Sequence, residues 1–217
     1  KDKVLYENDD NVELSLLEKI SANKFVSLNK GGVLTTFSLD NDVKTNINKT
    51  SLNVNVNIAH IDKSSKSIIF SDFSSKIFKC HYESHQCEEI SSDITEEITS
   101  IASLENDLYM CLFDQMTQSS KVVNNGQIIL THKARISKLI VTEEHLTFSD
   151  VSGKTQVQCL KDHYEVAGKS FSKGETIVSV NKWSHHTGKI TDMVWKPQFI
   201  EELSLDEKEP LLATVGL

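Results

Sequence analysis

The chain is 217 residues long and sets 23 Lys and Arg against 31 Asp and Glu, a formal net charge of −8. That length can bury a sizeable core, as one large domain or two small ones. The acidic balance excludes a general phosphate-binding surface, because neutralising nucleic acid takes concentrated Lys and Arg. Arg135 is the only arginine, and a patch of Lys alone reads bases weakly. No stretch approaches the roughly eighteen consecutive apolar residues of a membrane-spanning helix. The first residues, Lys1 to Tyr6, lack the apolar run of a signal peptide. With 2 Pro and 8 Gly, and with Ser, Thr, Asn, Val and Ile dominant, the composition favours strands and tight turns over helices.

In chain order, Val12 to Ile20 reads as a first strand, and Lys24 to Leu39 (KFVSLNKGGVLTTFSL) as two strands joined by a small-residue turn. Asp40 to Leu52, rich in Asn, Asp, Lys and Thr, reads as a long loop. The alternation Val54, Val56, Ile58 is a new strand, and Ser67 to Tyr82 (SIIFSDFSSKIFKCHY) repeats the strand, turn and strand pattern. Glu88 to Ile90 follows as an outer strand, then Ile98 to Ile101 as the next inner one. Leu108 to Asn124 is a third copy and Gln127 to Leu130 its outer strand. His145 to Leu160 (HLTFSDVSGKTQVQCL) is a fourth copy, with two candidates for its outer strand between Tyr164 and Val180.

The turn residues Asn29, Asp72, Asp114 and Asp150 recur 43, 42 and 36 residues apart, and Phe70-Ser71-Asp72 recurs as Phe148-Ser149-Asp150. A period of this kind is the signature of a repeat architecture, with about 40–45 residues per four-stranded blade. The clearest stretch is His186-Thr-Gly-Lys-Ile-Thr-Asp-Met-Val-Trp-Lys-Pro197. Here Ile190, Asp192 and Val194 share one side of a strand and Met193 and Trp195 the other, as burial on both faces requires. His132, Ile136 and Leu139 repeat the spacing of His186, Ile190 and Met193. Leu211 to Leu217 reads as the second strand of a fifth copy.

His186 to Pro197 resembles the start of a WD40 repeat, in which a His in a tight turn precedes an inner strand that often ends in Trp-x-Pro. The third strands lack the Trp-Asp ending of the family; Phe37-Ser38, Phe78-Lys79 and Val157-Gln158 stand near that place. The resemblance implies an all-β fold, a WD40-like β-propeller with about four and a half four-stranded blades. They are expected at about 12–45, 53–90, 97–131, 132–182 and, incomplete, 186–217. Because such rings usually close with more blades and an open arc would expose raw strand edges, the chain is expected to be part of something longer or to be completed by other chains. The resemblance also implies structural roles for His132, His186, Asp72, Asp114, Asp150 and Trp195, the His bonding to an acidic residue in the turn between second and third strands.

Two constellations have chemical residue types. Cys80-His81-x3-His85-x-Cys87 carries soft ligands, but Cys80 and His81 fall on opposite faces of a strand, so an ordinary hairpin is expected rather than a metal site. Cys80, Cys87, Cys111 and Cys159 are read as reduced thiols in an intracellular protein, since a chain this long with a periodic core needs no staples. No nucleophile elbow, phosphate loop or dinucleotide fingerprint is present, so no catalytic residue, cofactor or metal is expected. Glu88-Glu89, Glu96-Glu97, Glu143-Glu144 and Glu201-Glu202 read as solvated charge.

Phe199 to Pro210 interrupts the last copy and is either a solvated loop or an insertion that docks a partner through Phe199, Ile200, Leu203 and Leu205. The functional expectation is a non-catalytic scaffold subunit that joins other proteins in an intracellular multiprotein complex, nuclear or cytoplasmic. The alternative is a module that binds a short basic peptide, such as a histone-like tail, on an acidic top face. Neither reading involves a membrane or direct nucleic-acid binding.

Overall fold

A computed structural model describes residues 12–40, 43–91, 93–166, 168–180, 190–195 and 212–216. Every element among them is a β-strand. The first sheet is β1 (Leu14–Lys19), β2 (Lys24–Asn29), β3 (Val33–Asp40) and β4 (Val43–Ser51), each antiparallel to the next. The second is β5 (Val56–Asp62), β6 (Ser67–Asp72), β7 (Ile77–His81) and β8 (Cys87–Ser91). In the third, β9 (Glu97–Leu104), β10 (Asp107–Asp114), β11 (Ser119–Asn124) and β12 (Gln127–His132) again lie in sequence order.

The fourth sheet joins β13 (Ile136–Val141), β14 (His145–Asp150) and β15 (Thr155–Cys159) to β18 (Thr176–Val180). A separate ribbon of β16 (Tyr164–Val166) and β17 (Lys169–Phe171) lies between β15 and β18 in the chain. β18 is therefore the outer strand, and the other candidate is an inserted hairpin. Last, β19 (Ile190–Trp195) pairs with β20 (Leu212–Gly216).

One register recurs through these sheets. The first residue of the inner strand faces the last residue of the second strand: Leu14 with Asn29, Val56 with Asp72, Ile136 with Asp150 and Ile190 with Gly216. A bulge follows immediately in all four. A bulge adds one residue to one strand and shifts the side-chain parity beyond it. This corrects the expected alternation in the last copy. Ile190 and Met193, three apart, are both buried, whereas Val194, expected on the Ile190 side, is 59% exposed.

Burial follows strand position. The second strands β6 and β14 are buried along almost their whole length, on both faces, while the outer strands β8, β12 and β18 are mostly exposed. A strand covered on both faces reads as a near-continuous apolar run, and an edge strand meets water. This corrects the reading of Asp40 to Leu52 as a loop and of the first blade as ending near residue 45. Val43–Ser51 is β4, paired with β3 from Asp40↔Val43 to Val33↔Ser51. Its polar composition suits an edge, where backbone pairing on one side needs no apolar pattern on the other. Asn46, at φ 50°, lies where the β3–β4 register shifts, and Asp40 accepts hydrogen bonds from Thr45 Oγ1 (2.6 Å) and Asn23 Nδ2 (2.9 Å). These hold its carboxyl below the usual range, the Thr45 bond contributing most.

The chain divides into two compact units, residues 1–108 and 109–217. In the first, Val26, Leu28 and Leu34 of the first sheet pack with Val56, Ile68, Phe70, Cys80 and Tyr82 in one buried cluster. Burying a side chain such as Phe70 contributes about 1.5–3 kcal/mol. Gly32 lets the two sheets approach: it sits at φ +77°, and a Cβ there would lie 2.1 Å from the Val54 carbonyl oxygen. Backbone bonds Leu52 N–H to Gly32 O (2.9 Å) and Val56 N–H to Lys30 O (2.9 Å) seal that approach. In the second unit, Ile136, Leu139, Leu146, Phe148, Val157 and Ile190 are buried, and Ser137 Oγ reaches the Ile190 carbonyl from β13 (3.2 Å).

Candidate functional site

The turns between second and third strands gather the residues singled out by the repeat. Each begins with an Asx side chain that folds back onto its own turn, the local bonding for which Asp and Asn are suited. Asn29 Oδ1 accepts from Val33 N–H (2.8 Å). Asp72 Oδ1 accepts from Ser74 N–H (2.8 Å) and Lys76 N–H (2.9 Å). Asp114 Oδ1 accepts from Met116 N–H (2.8 Å), and its Oδ2 from Thr117 Oγ1 (2.8 Å). Asp150 Oδ1 accepts from Ser152 N–H (2.9 Å), Ser152 Oγ and Lys154 N–H (3.1 Å).

Asp150 makes one bond more. His132, at the end of β12, donates from Nε2 to Asp150 Oδ2 (2.9 Å), with 13% and 3% of the two side chains exposed. The carboxylate can only accept, which assigns the proton to Nε2. The His132 ring meets Phe148 edge-on at 5.1 Å. Burial pushes the Asp150 carboxyl up, but the bonds from Ser152, His132 and the Ser152 and Lys154 amides outweigh it, so the pKa lies below the ordinary value. In the second sheet Leu52 stands four residues before Val56, as His132 stands four before Ile136.

His186, with the same offset from Ile190, lies outside the described residues, as do Phe199, Ile200, Leu203 and Leu205. Trp195 pairs through its backbone with Leu212; its side chain is not among those described.

At the tips, apolar side chains stand in solvent. Met116 is 93% and Val151 43% exposed in the second unit, and Phe73 is 68% exposed in the first. Arg135, leading into β13, places its guanidinium 5.2 Å from the Phe113 ring and its carbonyl accepts from Val151 N–H (3.0 Å). The composition of the chain gave no warning of these tips, since a lone apolar residue in a turn has no periodicity to reveal it. Two of the acids read as solvated charge are ion-paired. Glu144 pairs with Lys161 (2.6 Å) at the opposite end of the fourth sheet from Asp150, and Glu89 pairs with Lys76 (3.2 Å) on outer strand β8. Glu201 and Glu202 lie outside the described residues.

The Cys and His cluster opens out rather than converging. Cys80 and Cys87 are joined in a disulfide, which corrects the expectation of four reduced thiols; Cys111 and Cys159 are buried and in no disulfide. Sequence separation hid the pair, but the β7–β8 register sets the two directly opposite, with Cα atoms 4.1 Å apart. His81 Nδ1 accepts from Ser84 N–H (3.3 Å), and the His85 ring turns toward the first sheet. Among the described residues no group of three His, Cys, Asp or Glu side chains could hold a metal ion.

No known protein family and no curated protein matches this sequence. Solved structures do match its fold. Sqt1 of Saccharomyces cerevisiae superposes with a TM-score of 0.57 at 10% identity, covering 94% of this chain and 56% of that one. The WD40 beta propeller domain of Doa1 gives 0.54 at 12% identity, covering 85% and 58%. U3-55K gives 0.52 at 15%, covering 78% and 53%. The chain thus has the fold of a WD40-type β-propeller and spans little more than half the length of these three structures.

Proposed function

We propose that this chain is a protein-interaction scaffold, a non-catalytic subunit of an intracellular multiprotein assembly. A WD40-type propeller usually serves as a rigid platform, and what it binds is set by its turns and loops rather than by its fold. The observation that supports this reading is the chemistry of the turn tips. Their carboxylates are spent on their own backbone amides, while Met116 and Val151 stand exposed within one unit. Flexible, polarizable Met is well suited to contacting varied protein surfaces. An apolar contact is therefore favoured over capture of a basic peptide, because the turn-opening Asp carboxylates already accept hydrogen bonds from their own turns.

The test is co-purification from native extract. The wild-type chain should recover stoichiometric partners, Met116→Glu together with Val151→Glu should lose them, and Glu143→Lys at the opposite end of the fourth sheet should keep them. Recovery of free monomer alone from the wild type would overturn the scaffold reading. Loss on Glu143→Lys with retention in the turn-tip variant would overturn the assignment of the face.

A further inference from the structure

We propose that the Cys80–Cys87 bridge is a thiol-exchange site for a dithiol reductant, and that its reduction releases the β7–β8 turn from the first sheet. The bridge lies across the last two strands of the second sheet. Cys80 is fully buried in the core cluster, and Cys87 lies exposed on outermost strand β8. A nucleophile therefore reaches the pair from the Cys87 side. The two residues are 7 apart in sequence, so the bridge closes a short loop, where the constraint on the unfolded chain is smallest. It acts mainly on the local geometry of one turn.

That turn carries His85 at φ 57°, in the left-handed region that a residue with a Cβ holds at a cost. Its ring crosses to the first sheet and bonds two hydroxyls there, Thr36 Oγ1 of β3 at Nε2 (3.2 Å) and Thr50 Oγ1 of β4 at Nδ1 (2.8 Å). A neutral imidazole has one donor and one acceptor, and two hydroxyls satisfy either tautomer. The bridge at the base of the turn and the His85 bonds at its tip thus form one latch between the β7–β8 turn and strands β3 and β4 of the first sheet. The hairpin itself has other support, in His81 N–H to Gln86 O (2.9 Å) and Lys66 to Glu83 (3.2 Å). Opening the bridge therefore loosens the turn without dismantling the sheet.

In the exchange, a thiolate of the dithiol attacks the Cys87 sulfur, forming a mixed disulfide as the Cys80 sulfur leaves with the bond's electron pair and takes a proton. The second thiolate of the reductant then attacks its own sulfur in the mixed disulfide, and Cys87 leaves as a thiolate that is protonated. Two electrons pass from the dithiol, which becomes a disulfide, to the protein, which gains two thiols. In reducing compartments protein disulfides are typically transient and redox-sensing, which is the behaviour assigned here.

The test uses the whole chain and dithiothreitol as the probe. Native protein denatured with an alkylating agent should take up label at Cys111 and Cys159 alone. After dithiothreitol treatment under native conditions, Cys80 and Cys87 should be labelled as well. Amide hydrogen exchange should then rise by about ten-fold in residues 83–91 and 44–51, with β13–β15 unchanged. His85→Ala should raise exchange in 44–51 with the bridge intact, which isolates the latch from any effect of the cysteines on folding. Label on all four cysteines before reduction, a bridge that yields only after denaturation, or unchanged exchange in 44–51 on reduction or in His85→Ala would each overturn the proposal.

Discussion

Asp72 and Asp150 open turns with the same backbone. In both, the Asp N–H bonds the carbonyl four residues on, at 3.0 Å to Lys76 and 2.9 Å to Lys154, and the amide three residues on returns to the Asp carbonyl. Phe70 and Phe148 fill equivalent buried positions, 1% and 0% exposed. The surroundings differ beyond the chain's own turn. Asp150 receives His132 from the preceding strand, and Ser149 Oγ donates to the Lys154 carbonyl (3.3 Å) while accepting from Thr155 Oγ1 (3.2 Å). In the second sheet Leu52 stands at the His position, and the buried Ser71 Oγ has no hydrogen-bond partner among the described residues. Three shared residues therefore specify a turn, and a residue eighteen positions away decides whether it is locked.

The largest expected effect tests the equivalence itself. Phe70→Ala and Phe148→Ala should each cost about 3–5 kcal/mol in chemical denaturation, because each removes a ring from a closed core. A loss below about 1 kcal/mol at only one of them would break the pairing of the two turns.

The next effect separates the turns. Asp150→Ala should cost about 3 kcal/mol by stranding His132 and three donors, against about 1 kcal/mol for Asp72→Ala, a cap alone. A double-mutant cycle of His132→Ala with Asp150→Ala should give a coupling of about 1–3 kcal/mol. The pH dependence has a definite sign. The Asp150 carboxyl is depressed in the folded chain, so its contribution is complete above the unfolded value of about 3.9 and is lost as pH falls through the folded one. Asp150→Asn should thus lower stability at pH 7 and flatten the acid side of the profile; an unchanged acid slope would remove the lock from the account.

The smallest effect is the sharpest in sign. Ser149→Ala should cost about 1 kcal/mol, whereas Ser71→Ala, which deletes an unpaired buried hydroxyl, should be neutral or slightly stabilising. Equal losses would mean that Ser71 has a partner after all.

Most of the strand order was legible because the turn residues recur and short apolar segments stand between them, Ile68 to Phe70 in β6 and Leu146 with Phe148 in β14, although β14 also buries His145, Thr147, Ser149 and Asp150. Edge strand β4 was not, since an edge needs only a backbone neighbour and its Thr, Asn and Lys residues imitate a loop. The Cys80–Cys87 bridge was hidden because pairing depends on how many residues the β7–β8 turn consumes, which composition does not show. Val194 was misplaced by a bulge, a one-residue insertion that no alternation pattern announces.

The sequence by itself determined the repeat: short-range turn chemistry at Asn29, Asp72, Asp114 and Asp150, and the apolar runs between, act within a few residues of chain. The tertiary structure alone decided which side chains meet across sheets, His132 with Asp150, His85 with Thr36 and Thr50, Gly32 against Val54. Those contacts depend on register and on the approach of separate sheets, quantities set only when the whole core closes.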